Sequence, residues 1–232
     1  MISVCIATYN GERYIGEQIK SILNQLNSSD EIIVSDDGSK DKTIDVVKSF
    51  DDKRIRIIDG PRKGSPISNF ENALKAAKGE YIFTADQDDV WTDDKVRTCM
   101  RYLQSYDCVV SDAIVADSEL KQTSPSFYKT NNTKTGKWYN LLVKNGYLGC
   151  CMAFNRKVLN SALPFPEYIP MHDIWIGNVA AFRFKVKFID EKLILFRRHS
   201  HNSSTTASKS KYSIIDRIMF RLNIIKGIIN QR

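Results

Sequence analysis

Tyr81-Ile82-Phe83-Thr84-Ala85-Asp86-Gln87-Asp88-Asp89-Val90-Trp91 is the stretch on which the fold turns. Its apolar start predicts a short buried strand. Three carboxylates, Asp86, Asp88 and Asp89, follow within four residues. A strand ending in clustered acids delivers them to the carboxyl edge of a sheet, where open α/β sheets bind ligands. Carboxylates this close repel one another and raise each other's pKa. A divalent cation removes the repulsion, and hard oxygen ligands suit Mg²⁺ or Mn²⁺. Taken alone, the same residues also fit an acidic solvated turn, so the flanking chain has to decide.

Working back from that stretch, three more strands precede it, each with a helix behind it. Ile2 to Ala7 is a near-continuous apolar run of the kind buried in parallel sheets. It ends at Thr8-Tyr9-Asn10-Gly11, and Ile15, Ile19, Ile22, Leu23 and Leu26 then recur at helical spacing. Glu31 to Ser35 is the second strand, ending in Asp36-Asp37-Gly38-Ser39, with a helix through Val46 and Phe50. Arg54 to Ile58 is the third, and a helix through Phe70 and Ala77 leads to Gly79 and the acid-bearing strand. Alternation of this kind predicts an α/β, Rossmann-like, mostly parallel sheet flanked by helices. The polar clusters at Thr8, Asp36 and Asp86 then converge on one crevice. No G-x-G-x-x-G follows the first strand and no G-x-x-x-x-G-K-[ST] occurs, which argues against a dinucleotide fold and a P-loop NTPase.

The 232 residues suffice for one large domain, and 42% hydrophobic residues supply a core. The net charge is +7, of which +5 lies between Ala207 and Arg232: Lys209, Lys211, Arg217, Arg221, Lys226 and Arg232 against Asp216. That imbalance implies an acidic partner, membrane or nucleic acid. Five cysteines, none in a C-x-x-C pair, suit free thiols in a reducing cytosol. No signal peptide is expected at the N-terminus, and no apolar run is long enough to span a bilayer.

Val4-Cys5-Ile6-Ala7-Thr8-Tyr9-Asn10-Gly11, Ile33-Val34-Ser35-Asp36-Asp37-Gly38-Ser39 and Gly79-Glu80-Tyr81-Ile82-Phe83 ending in Asp86-Gln87-Asp88-Asp89 together closely resemble family-2 glycosyltransferases of the GT-A fold. The resemblance continues at Gly149 to Arg156, at His172-Asp173-Ile174-Trp175 and at Arg198-His199-Ser200-His201-Asn202, covering about residues 1–205. The Asp-Gln-Asp-Asp-Val-Trp form is most similar to the bacterial rhamnosyltransferase-like branch that builds surface polysaccharides. The resemblance implies that Asp37 accepts a hydrogen bond from the imide of uracil or thymine, beside Asp36. It implies that Ala7, Thr8 and Tyr9 pack around that base and that Asp86 and Gln87 lie beside ribose and metal. Asp88 would hold Mg²⁺ or Mn²⁺, with His199 approaching the metal or diphosphate, and Asp173 would be the catalytic base. Ala7 stands where many members carry Pro, a change expected to be harmless. The implied reaction is inverting transfer of a sugar from a nucleotide diphosphate sugar, dTDP-rhamnose or a UDP-hexose, to a lipid-linked saccharide acceptor.

The remaining sequence assigns parts to that plan. Residues 1–91 form the nucleotide-binding half of a single domain and 92–205 the acceptor and catalytic-base half. A helix runs from about Asp93 with Val96, Met100 and Leu103 on one face, and Cys108 to Asp112 is a strand. Ser118 to Gly136 is polar and is expected to be a loop, either an acceptor lid or a mobile surface segment. A short helix begins at Tyr139, and Leu148 to Phe154 is expected to be a strand under the donor sugar. Asp173 opens a helix, where the dipole favours a carboxylate; the competing reading is a simple N-cap. Trp91, Trp175, Cys150 and Cys151 are expected in the core. In the tail 206–232, Ile214, Ile218, Leu222, Ile225 and Ile229 fall on one helical face, with Arg217, Arg221 and Lys226 around the other side. A basic amphipathic helix is expected either to anchor the enzyme peripherally at the inner face of the cell membrane or to pack on its own domain or a second subunit, as in a homodimer. Two other classes compete. A nucleotidyltransferase should carry a Gly-rich basic phosphate loop where Thr8-Tyr9-Asn10-Gly11-Glu12-Arg13 stands. A non-catalytic nucleic-acid binder should interleave bases and aromatics, whereas here the charge gathers in an apolar-faced tail, so no nucleic-acid partner is expected.

Overall fold

The computed structural model describes residues 1–200, 202 and 213–230. The first half alternates as its apolar runs require: β1 (Ile2–Thr8), α1 (Ile15–Leu23), β2 (Glu31–Asp36), α2 (Thr43–Lys48), β3 (Ile55–Asp59), α3 (Pro66–Ala76) and β4 (Tyr81–Asp86). The second half adds β5 (Val90–Trp91), α4 (Lys95–Leu103), β6 (Cys108–Ala116), β7 (Gln122–Ser124), α5 (Phe127–Asn131), α6 (Lys137–Leu142), β8 (Met152–Asn155), α7 (Arg156–Ala162), α8 (His172–Arg183), β9 (Val186–Arg197) and α9 (Ile214–Asn230).

All strands join one sheet in the order β3-β2-β1-β4-β8-β6-β9-β5, with β7 paired to β6. The strands β3, β2, β1 and β4 are parallel, as are β6 and β9, while β8 runs antiparallel between β4 and β6. Val4, Ile6, Ile32, Ile33, Val34, Ile82 and Phe83 are wholly enclosed because helices cover both faces. Register fixes the site. Thr8 lies opposite Asp36 and Ala7 opposite Asp86, so the ends of three adjacent strands open on one edge, as the sequence predicts.

All five cysteines are free and buried, and Trp91 and Trp175 sit in the core, matching expectation. Two local readings are corrected. Ser118–Gly136 is not structureless: it holds β7 and α5, with Phe127 buried. The buried Asp112 carboxylate organises it, accepting hydrogen bonds from Ser126 Oγ at 2.6 Å and the Tyr128 amide at 2.9 Å. Leu148–Phe154 is a strand only from Met152; Gly149–Cys151 is a tight 3₁₀ turn. The tail helix packs on its own domain, one of the alternatives its sequence left open. In α9 the inward face is Ile224 and Gly227, against Trp175 of α8, while Ile218, Leu222 and Ile229 of the predicted stripe stand exposed. Lys209, Lys211, Arg232 and His201 lie outside the described residues.

Candidate active site

The turn after β1 is clamped from β4. Gln87 Oε1 accepts from Thr8 Oγ1 at 2.5 Å and from the Tyr9 amide at 3.0 Å, and its Nε2 donates to the Tyr9 carbonyl at 3.2 Å. Gly11 is small for the same reason: a Cβ there would fall 2.4 Å from Gln87 Oε1. Gln87 thus shapes the floor formed by Ala7, Thr8 and Tyr9. From α3, Asn69 Nδ2 donates to the Thr8 carbonyl at 3.1 Å, tying the same turn to a helix.

The two acids after β2 divide their work. Asp36 accepts from the Gly38 and Ser39 amides and from Ser39 Oγ, folding its own turn. Asp37 faces across the crevice, and its two oxygens accept the amides of Lys63 at 3.3 Å and Gly64 at 2.7 Å. The Gly60–Gly64 loop is therefore docked on the acid, and Gly60 needs to be small because a Cβ would lie 2.6 Å from the Asp36 carbonyl oxygen.

The acids after β4 meet the end of β9. Asp88 Oδ2 lies 2.9 Å from His199 Nε2 and accepts from Asn202 Nδ2 at 2.7 Å. Arg197, almost fully buried, holds this junction. Its amide donates to Asp89 Oδ1 at 2.9 Å, its Nε to the Asp88 carbonyl at 2.7 Å, its Nη1 to the Ser118 carbonyl at 2.6 Å, and its Nη2 pairs with Glu17 of α1. Tyr14 lies beneath the guanidinium, 4.5 Å from ring centre to Cζ, and stacks on His199 at 4.7 Å.

Negative charge accumulates here. Burial, and then the neighbouring charges of Asp88 and Asp173, push Asp86 up to about 7. Burial, Asp88 and Asp86 likewise raise Asp89 well above the usual carboxylate range, with the Cys150 thiol beside it. Clustered acids held in this state match the donor chemistry of Mg²⁺ or Mn²⁺, so the residues fit a divalent cation.

Asp173 approaches from α8. Met171, not Asp173, occupies the N-cap, so the capping alternative is overturned. The Asp173 carboxylate accepts the amides of Ile174 at 2.7 Å and of Gly149 in the 3₁₀ turn at 3.1 Å. Burial nevertheless lifts it to about 6 against those hydrogen bonds. The dipole does not hold it in the ordinary range; desolvation wins. It remains mostly ionised at neutral pH and is a better proton acceptor for the shift. Its neighbour His172 is buried, stacks on Phe70 at 3.9 Å, and is lowered to about 3, so it stays neutral.

Every residue expected at the site lies on this one edge or on the elements that close it. Sequence reasoning missed Asn202, Arg197 and Tyr14 as parts of it. The run Arg197-Arg198-His199 next to Asn202 carried the only signal, since charged residues ending a long apolar strand need partners.

A parallel sheet with an acid-bearing crevice at its carboxyl edge, closed by a mixed second half, defines a GT-A-type fold. Residues 3–163 match the family model described as Glycosyl transferase family 2. The chain belongs to that family and is a glycosyltransferase acting on nucleotide sugars in polysaccharide synthesis. It is 29% identical over 227 residues to the dTDP-rhamnosyl transferase RfbG of Shigella flexneri, covering 89% of this chain and 76% of that one. It is 28% identical over 223 residues to the UDP-Glc:alpha-D-GlcNAc-diphosphoundecaprenol beta-1,3-glucosyltransferase WfgD of Escherichia coli, covering 91% and 81%. Among solved structures, Staphylococcus aureus TarS 1–349 in complex with UDP-GlcNAc superposes with a TM-score of 0.72 at 19% identity, over 99% of this chain and 67% of that one. Glucosyl-3-phosphoglycerate synthase of Mycobacterium tuberculosis, in complex with Mn²⁺ and UDP, gives 0.61 at 17% identity, over 100% and 79%. At those identities the solved structures speak for the fold.

Proposed function

We propose that the chain catalyses inverting, metal-dependent transfer of a sugar from a pyrimidine nucleotide diphosphate sugar, dTDP-rhamnose or a UDP-hexose, to a lipid-linked saccharide acceptor. The observation that carries the reading is the meeting of Asp86, Asp88 and Asp173 in one crevice, with Asp173 raised to about 6. The turn Ala7-Thr8-Tyr9 and the acid Asp37 form the base pocket. Asp37 selects the imide N–H of uracil or thymine, and Asp36 keeps its turn folded. Asp88 and His199, with Asp86 beside them, hold the divalent cation, which supplies neutralisation of the diphosphate charge.

Asp173 takes the proton of the acceptor hydroxyl as that oxygen bonds to the anomeric carbon. The bond from that carbon to the diphosphate oxygen breaks, and the nucleoside diphosphate leaves with the electron pair. One displacement on the face opposite the leaving group inverts the centre, and a single base suffices. Asn202 and Arg197 keep Asp88 in place and contribute no proton. The relatives' names support both donors, dTDP-rhamnosyl for RfbG and UDP-Glc for WfgD, and the latter supports a diphosphoundecaprenol-type acceptor. Such an acceptor places the work at the inner face of the cell membrane, with the tail as its contact. Among the described residues no helix is long and apolar enough to cross a membrane.

Calorimetric titration of UDP and dTDP, each with and without Mn²⁺, on the native chain and on Asp88→Ala tests the reading. Binding of one diphosphate that needs both the cation and Asp88 is expected. Equal binding by Asp88→Ala would remove the metal assignment, and no binding of either nucleotide would remove the donor site.

A further inference from the structure

Among the described residues, nothing covers the outward face of α9. Ile215, Ile218, Met219, Leu222 and Ile229 recur at helical spacing and are 49–72% exposed. The opposite face is already used, with Ile224 buried, a Cβ on Gly227 2.7 Å from Trp175, and Arg183 donating to the Ile228 carbonyl. A helix apolar on both faces is built to be covered on both.

The uncovered face does not stop at α9. Arg221 Nε and Nη2 donate to the carbonyls of Leu141 and Val143, each at 3.2 Å, which seats α9 against the end of α6. There Trp138, Leu142 and Val143 stand 48–60% exposed. On the other side Asn223 Nδ2 donates to the Tyr168 carbonyl at 3.2 Å, and Tyr168 is 66% exposed. Eleven large apolar side chains stand exposed among the described residues; nine belong to these three elements, and only Met1 and Tyr9 lie elsewhere. Scattered exposed apolar residues need no explanation, but this concentration does.

We infer that α9, the end of α6 and the Tyr168 loop form one composite surface that docks on an anionic lipid bilayer. Charge selects that occupant. Lys137 and Lys144 flank the α6 part and Arg217, Arg221 and Lys226 lie on α9, against Asp216 on α9 and Glu167 beside Tyr168, so the cations outnumber the acids by five to two. A second copy related by two-fold symmetry would bring the same cations face to face, whereas an anionic surface is complementary. Trp138 and Tyr168 have the amphipathic rings suited to the headgroup level. The surface also borders the acceptor side of the site: Tyr168 precedes Asp173 by five residues, and α9 packs on α8, whose first turn carries Asp173. Its purpose rests on the proposed lipid-linked acceptor; its physics does not.

Flotation of the full chain with vesicles of phosphatidylcholine alone, and of phosphatidylcholine with phosphatidylglycerol, tests the inference. Flotation with the anionic vesicles is expected, weakening as salt rises. Leu222→Asp on α9 and Val143→Asp on α6 should each lower the partition about tenfold or more. Both positions are exposed, and unchanged UDP or dTDP binding by the variants shows that they fold. No flotation, or flotation unchanged in both variants, overturns the inference. Loss only in Leu222→Asp makes the contact the tail alone and overturns the composite surface. A native dimer that Leu222→Asp converts to monomer in sedimentation assigns the face to a second copy instead. Failure of the native chain to bind either nucleotide would sink the donor reading and leave the flotation result standing.

Discussion

Asp173→Asn separates a catalytic base from a structural carboxylate because the two roles predict opposite changes in stability. Burial raises the Asp173 pKa from its ordinary 3.8 to about 6. Each pH unit corresponds to about 1.4 kcal/mol, so the ionised carboxylate weakens the native state by up to about 3 kcal/mol. The sign follows from the direction. A raised folded pKa leaves stability intact below about pH 4 and removes it as pH rises through about 6. Asparagine is nearly isosteric and carries no charge, but its single oxygen accepts the Gly149 amide and leaves the Ile174 amide without a partner, which offsets about 1 kcal/mol of the gain. Asp173→Asn should therefore melt higher than the native chain at pH 8, by about 1–2 kcal/mol or roughly 2–8 °C, and lose that gain towards pH 4. Sugar transfer should fall about 10²–10⁴-fold, and kcat/KM of the native enzyme should decline below about pH 6. Melting curves from pH 4 to 8 and transfer assays over the same range check both halves. A variant less stable than the native chain at pH 8, or one that keeps its activity, would refute the reasoning.

Four further outcomes follow from the same geometry. Gly11→Ala drives a methyl into Gln87 Oε1, 2.4 Å away, and should destabilise by about 1–3 kcal/mol and weaken nucleotide binding, read by melting and calorimetry. Asp37→Ala strands the Lys63 and Gly64 amides and removes the imide acceptor; the affinity for UDP or dTDP should drop about tenfold or more, and unchanged affinity would take Asp37 out of the base pocket. Arg197→Met leaves the Asp88 and Ser118 carbonyls without their donor, while the exposed Glu17 stays solvated, and should lower stability by about 2–4 kcal/mol in a thermal melt. Asn202→Ala, near the surface end of the same strap, should barely move the melting temperature yet reduce Mn²⁺-dependent nucleotide binding by freeing Asp88 Oδ2.

The first half was legible because its signals are local. Buried parallel strands appear as unbroken apolar runs such as Ile2–Ala7, and each ends in the polar residues that the sheet must present at its edge. The acids of the site were legible for the same reason. What the sequence hid was set by long-range polar bonds. Nothing in Ser118–Gly136 announces that Asp112, earlier in the chain, will cap Ser126 and Tyr128 and turn that stretch into a strand and a helix. Likewise Leu148–Phe154 has the apolar composition of a strand, but the turn at Gly149 is fixed by Thr84 Oγ1 donating to its carbonyl at 2.6 Å and by Asp173 accepting its amide. The helical periodicity of the tail was real, but the sequence did not show that a second face would pack on the domain, where Gly227 lets Trp175 approach.

The same residues explain why the acid loop sits where it does. Four acids crowded into one crevice would push the loop after β4 away from the sheet unless something held its backbone. Arg197 does so from the far end of the chain, through its amide to Asp89 and its guanidinium to the Asp88 carbonyl. Its guanidinium pairs with Glu17 rather than with the crevice carboxylates, so the loop is fixed in position without directing the Arg197 charge at Asp86 or Asp88. A guanidinium aimed at the Asp88 carboxylate would have satisfied the acids and removed their need for a cation. Holding Asp88 by its carbonyl instead, and leaving its carboxylate, among the described residues, to Asn202 and the His199 ring nitrogen, keeps the donor end open for the proposed cation. On this account Arg197→Lys, which keeps the charge but loses the fork, should loosen the loop and lower Mn²⁺ affinity although the net charge of the site is unchanged. Equal Mn²⁺ affinity in the Lys variant would mean that charge, not the directed hydrogen bonds, sets the loop.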